Sequence, residues 1–61
     1  MALRIEYYRG AEKVMVTVFL RSLEDATKEA RDSLRRFGAL EARILDMDKG
    51  GKVIETVKLN A

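Results

Sequence analysis

The side chains able to do chemistry in this 61-residue chain are carboxylates, hydroxyls, amines and guanidiniums, because it holds neither cysteine nor histidine. Nucleophile arrangements built on a thiol or on a histidine base are therefore excluded, and so are thiolate and imidazole metal sites. Glu24, Asp25, Glu29 and Asp32 are interleaved with Lys28, Arg31, Arg35 and Arg36. That mixture describes a solvated helical face better than a paired acid and base. Ser22 and Ser33 have structural uses, as a helix cap and as a small helical position. Glu55 is the one acid that its segment's alternation puts among apolar residues, where loss of water would raise its pKa. A strand end or bulge is the preferred account of it, so no catalytic residue is assigned and the chain is read as non-enzymatic.

Two short runs imitate ligand loops. Asp46-Met47-Asp48-Lys49-Gly50-Gly51 begins like a calcium loop, but its fifth position is Gly50 and its twelfth is Val57 where a bidentate Glu is needed. Gly50-Gly51-Lys52 suggests a phosphate loop. That motif needs a glycine where Asp46 stands, a hydroxyl where Val53 stands and a helix afterwards. Both runs are read as a hairpin turn, and no metal or cofactor is expected.

The element that must organise these residues is a helix from Ser22 to Phe37. Ser22 can cap it, with Asp25 three residues on. Leu23, Ala26, Ala30, Leu34 and Phe37 recur at steps of three and four and so share one stripe. Acids lead and arginines trail, as the helix dipole favours, and Gly38 can take the positive φ that ends the helix.

Before the helix, Leu3, Ile5 and Tyr7 alternate with Arg4, Glu6 and Tyr8, the period of a half-buried strand. A two-residue turn at Gly10 and Ala11 would pair Tyr7 with Val14, Ile5 with Val16 and Leu3 with Val18. The second strand, Lys13 to Leu20, would then carry Met15 and Phe19 on its other face and sit in the middle of the sheet. After the helix, Leu40 to Met47 and Lys52 to Leu59 flank the glycine-rich turn. Pairing Asp48 with Gly51 sets Ala42 opposite Val57, Glu41 opposite Lys58 and Leu45 opposite Ile54. It also sets Glu55 opposite Ile44 on the inner face, so a bulge near Glu55 and Thr56, or an end to the helix's cover, is expected there.

The expected fold is α+β, one ββαββ domain over residues 1–61, with two hairpins in a four-stranded antiparallel sheet and the helix on one face. The preferred strand order is 1-2-4-3, with 2-1-3-4 as the alternative. One helix covers one face only, so Met15, Phe19, Leu45 and Ile54 are expected to form an apolar patch on the other, rimmed by Thr17, Arg21, Glu41, Arg43, Thr56 and Lys58. Such a patch fits a protein partner, most simply a second copy forming a homodimer, and weighs above ordinary exposed surface. The alternative is weak nucleic-acid binding, through Lys28, Arg31, Arg35 and Arg36 at the helix end or by bases stacking on Phe19 and Tyr8.

Twelve basic against ten acidic residues leave a small positive excess. A domain of this size buries only about 60% of the surface its unfolded chain exposes, so its stability is marginal, and association is a common supplement where disulfides and metals are excluded. Met1-Ala2-Leu3-Arg4-Ile5-Glu6 is too charged for a signal peptide, and no stretch has the length of a membrane span, so a cytoplasmic location and no membrane partner are expected. The whole chain resembles small uncharacterised bacterial proteins of hairpin, helix and closing hairpin. The matching residues are Leu23-Glu24-Asp25-Ala26 with Ala30, and Ile44-Leu45-Asp46-Met47-Asp48-Lys49-Gly50-Gly51-Lys52-Val53. That resemblance implies the ββαββ order and transfers no activity or functional residue.

Overall fold

Alternating side chains and a Gly10-Ala11 turn fold the first third of the chain into a hairpin of β1 (Leu3–Arg9) and β2 (Glu12–Phe19). A helix, α1 (Leu23–Ser33), follows, and then a second hairpin of β3 (Glu41–Asp46) and β4 (Lys52–Lys58). The computed structural model describes residues 2–59, so Met1, Asn60 and Ala61 lie outside it. The order ββαββ and the single antiparallel four-stranded sheet are those expected.

The strand order is β2-β1-β3-β4, which corrects the preferred order and matches the alternative. β1, not β2, is central. The polar residues of β1 disguised it: Glu6 is only 7% exposed, covered by neighbouring side chains rather than by the helix. The apolar content of β2 marks an uncovered edge.

The register of the first hairpin also differs. Arg9 pairs with Glu12 and Tyr8 with Lys13, as a two-residue turn requires, and Gly10 takes φ 63°. A bulge at Val14 then shifts the ladder, so Tyr7 faces Met15, Ile5 faces Thr17 and Leu3 faces Phe19. One extra residue reverses every later side chain of the strand. The second hairpin follows expectation from Glu41↔Lys58 to Ile44↔Glu55. Its bulge falls at Ile54, next to Glu55, so Leu45 faces Val53 rather than Ile54. The turn is longer than two residues. A single 3-10 turn at Met47–Lys49 is capped by the Asp46 carboxylate, which accepts the Asp48 N–H at 3.0 Å, and Gly50 and Gly51 both take positive φ.

In α1 the Ser22 hydroxyl accepts the Asp25 N–H at 3.2 Å. Regular helix stops at Ser33, earlier than Phe37, while Phe37 N–H to Ser33, four residues back, and Gly38 N–H to Arg35, a tighter three, carry single turns on to Gly38, φ 66°. Ala26 and Ala30 are fully buried, small enough to let the helix lie close on the sheet. It packs over β1, β3 and β4. Leu3, Ile5, Tyr7, Leu34, Ala39, Ala42, Ile44 and Val57 join them in the core, and each fully buried Leu or Ile side chain contributes about 1.5–3 kcal/mol.

Candidate interaction surface

The helix-free face is built from the outward residues of the two central strands, and at its centre is a charge network. Glu6 accepts the Tyr8 hydroxyl at 2.7 Å and the Lys13 ammonium at 3.3 Å. Arg4 Nε lies 3.0 Å from the same carboxylate without hydrogen-bond alignment, so its attraction is coulombic. The Tyr8 hydrogen bond, with help from Lys13 and Arg4, holds the Glu6 pKa below the ordinary carboxylate value even though burial pushes it up. Arg43 donates to Glu41 at 2.6 Å and lies 4.3 Å from the centre of the Tyr8 ring. With Tyr8 so engaged and Phe19 on the helix side, the two aromatics cannot act together as a platform for bases.

The four residues expected to form one apolar patch are divided. Leu45 lies on the helix-free face opposite Val53. Met15 and Phe19 face the helix side as partners of Tyr7 and Leu3, and Phe19 with Ile54 packs partly against the core. The cause is the pair of bulges, each of which moves one residue out of the ladder. Val16 and Val18 take the outward places instead, and Val18 is 72% exposed. The sequence offered no marker for the bulge at Val14, since glycine and proline are both absent there.

Exposed apolar side chains gather chiefly at one place, although Leu40, Met47 and, on β4, Val53 are exposed as well. Met15, Val16, Val18 and Leu20 are all exposed, and all belong to β2 or the residue after it. From Val14 to Leu20 no charge interrupts the run. The other edge differs, because β4 carries Lys52, Glu55 and Lys58.

Comparison with known proteins identifies no relative. No protein-family model, no curated protein and no solved structure matches the chain. The surface is therefore read from its own geometry.

The cations do not form one uninterrupted strip. Lys28 lines a shallow groove between α1 and the end of β2 with Phe19, Arg21, Asp25, Glu29 and Asp32. Arg31 and Arg35 line another with Lys58, over Leu34 and Leu59. Arg36 lines neither of these and is exposed. Glu55 is exposed on the outer edge of β4, and with Leu23, Glu24, Thr27 and Arg31 it borders a broad open depression rather than an enclosed cleft. Among the described residues no cluster of acids is placed to hold a metal ion, and no helix is long and apolar enough to cross a membrane.

One buried polar atom stands apart. Among the described residues the Tyr7 hydroxyl, fully buried beside Ser33 and Thr17, finds no hydrogen-bond partner of normal geometry, while Ser33 donates to Glu29 at 2.8 Å. Burial raises the Tyr7 pKa, which keeps the phenol neutral. Its ring is held edge-on to Phe37, centroids 4.8 Å apart.

Proposed function

We propose that this chain is a small non-enzymatic interaction domain that self-associates. The observation that supports it is the concentration of exposed apolar residues on β2 and the residue after it, Met15, Val16, Val18 and Leu20, at an edge where a soluble monomer would place charges. Catalysis has no comparable support, since Glu55 sits on an open edge and the Glu6 carboxylate is occupied by its own neighbours. The test is molar mass in solution across a concentration series, for the natural chain and for Val18→Glu. The reading expects a concentration-dependent dimer that the substitution converts to a folded monomer. A natural chain that stays monomeric up to about millimolar concentration, where even a binding free energy of about −4 kcal/mol would show, overturns it.

A further inference from the structure

The direction of the backbone groups on β2 shows how two copies would meet. The Leu40 N–H donates to the Tyr8 carbonyl at 2.8 Å, which turns the Tyr8 backbone groups toward β3. Successive residues of a strand direct theirs to opposite sides. Leu3, Ile5 and Tyr7 therefore turn toward β2, and their partners Phe19, Thr17 and Met15 turn back toward β1. The N–H and C=O groups of Val16 and Val18 point out from the sheet, and among the described residues no strand lies beyond them.

We propose that β2 pairs antiparallel with β2 of a second copy about a two-fold axis through Thr17, joining two four-stranded sheets into one. The pairing presupposes the self-association proposed above and names its surface. Such an axis stands perpendicular to the sheet, so paired residues share a face. Centred on Thr17, it sets Val16 against the partner's Val18 on the helix-free face and Met15 against the partner's Phe19 on the helix side. Thr17 meets the partner's Thr17, and each of these is a favourable cross-strand pair. The Val16 pair and its symmetry mate exchange the outward backbone hydrogen bonds.

Neighbouring centres fit less well. Centring on Val16 sets Phe19 against the partner's Lys13, and centring on Val18 sets Met15 against the partner's Arg21, so each puts a charge against a residue of the regular stretch. The Thr17 centre brings Lys13 and the partner's Arg21 opposite one another only outside that stretch, beyond the Val14 bulge. Thr17 is also the midpoint of Met15 to Phe19, the regular stretch that the Val14 bulge leaves. Pairing closes after one step, because the two-fold consumes β2 of both copies and leaves only the charged β4 edges at the ends.

The chain has no cysteine, so single cysteines report the geometry directly. Residues facing each other in a non-hydrogen-bonded antiparallel pair have Cα atoms about 4.5 Å apart, within the range of a disulfide. Thr17→Cys, mildly oxidised in the full chain at dimer-forming concentration, is expected to give covalent dimer at least about tenfold faster than Thr56→Cys on β4. Val18→Pro removes an outward N–H without touching the β1 ladder, and should raise the dimer dissociation constant at least about tenfold, whereas Thr56→Pro should not. Should Val18→Pro fail to fold, the cysteine pair still decides. A natural chain that dimerises while Thr17→Cys cross-links no faster than Thr56→Cys overturns this pairing and leaves self-association standing. A natural chain that is monomeric throughout overturns both.

Discussion

The two edges of the sheet are built to different rules. β4 carries a charge at each end and another beside its bulge, at Lys52, Lys58 and Glu55, while β2 confines its charges, Glu12 and Lys13, to its first two residues and has none from Val14 to its end at Phe19. Both are interrupted by a bulge, at Ile54 and at Val14. Bulges alone therefore do not separate them. Charge does, because a lysine on an edge must lose water when another strand docks there, and a valine gains by losing it. A sheet with one guarded and one unguarded edge is suited to a single closed pairing rather than to open growth.

The sharpest way to break the comparison is to remove the guard. Lys52→Val, Glu55→Val and Lys58→Val together would leave two open edges, and assembly should then pass the dimer and continue, seen as molar mass and light scattering that rise without a plateau. A variant that stays at the mass of the natural chain would show that charge is not what closes β4.

Burial gives a second contrast, between the sheet's centre and its edge. Ile44 is fully buried under α1, and Ile44→Ala should cost about 2–5 kcal/mol of unfolding free energy. Val18→Ala, measured by denaturant unfolding at concentrations too low for association, should stay within about 0.5 kcal/mol of the natural chain. A larger loss at Val18 would mean that this side chain is covered within the monomer.

The charge network supplies a third, because Lys13 ties β2 to the Glu6 carboxylate of β1. The folded Glu6 pKa lies below its ordinary 4.5, so the folded chain holds the proton less tightly than the unfolded one. That contribution is fully present above pH 4.5 and is lost as pH falls through the lower folded value. Hydrogen exchange should accordingly show β2 losing protection before β4 on acidification, and Glu6→Gln should flatten the acid limb of stability against pH. An acid limb unchanged by Glu6→Gln would place the sensitive carboxylate elsewhere.

Much of this architecture was legible in the sequence, and what was not has two physical causes, an unannounced bulge and a buried charge. The Ser22 cap, the stripe from Leu23 to Leu34, the Gly10 turn and the pairing of Ala42 with Val57 all follow from local chemistry. Strand order and the first register did not follow. A bulge adds a residue wherever tertiary packing favours it, and at Val14 half-burial of that valine against the core accompanies the shift, with no turn residue to announce it. Glu6 misled in the other direction. Its charge reads as solvent exposure, yet Arg4 and Tyr8, its neighbours two positions away on β1, and Lys13, which the hairpin brings across from β2, gather around its carboxylate. The candidate surface moved with the register, from Met15, Phe19, Leu45 and Ile54 on one face to an edge centred on Val16, Thr17 and Val18.

The smallest expected effect concerns the residue at which that register shifts. Tyr7 faces Met15 at the bulge, and its hydroxyl is buried without a hydrogen-bond partner of normal geometry among the described residues. An unpaired buried hydroxyl costs about 1–3 kcal/mol of desolvation, so its removal should recover part of that cost. Tyr7→Phe keeps the ring and its edge-on contact with Phe37. It should leave stability unchanged or raise it by about 1 kcal/mol, a rise in Tm of roughly 4–8 °C for a domain of this size. A loss of more than about 1 kcal/mol would show instead that the hydroxyl is bonded to Ser33 or Thr17 in solution. In that case the bulge would be held in place by a polar contact as well as by the packing of Val14, and a second substitution, Thr17→Val, would separate the two partners.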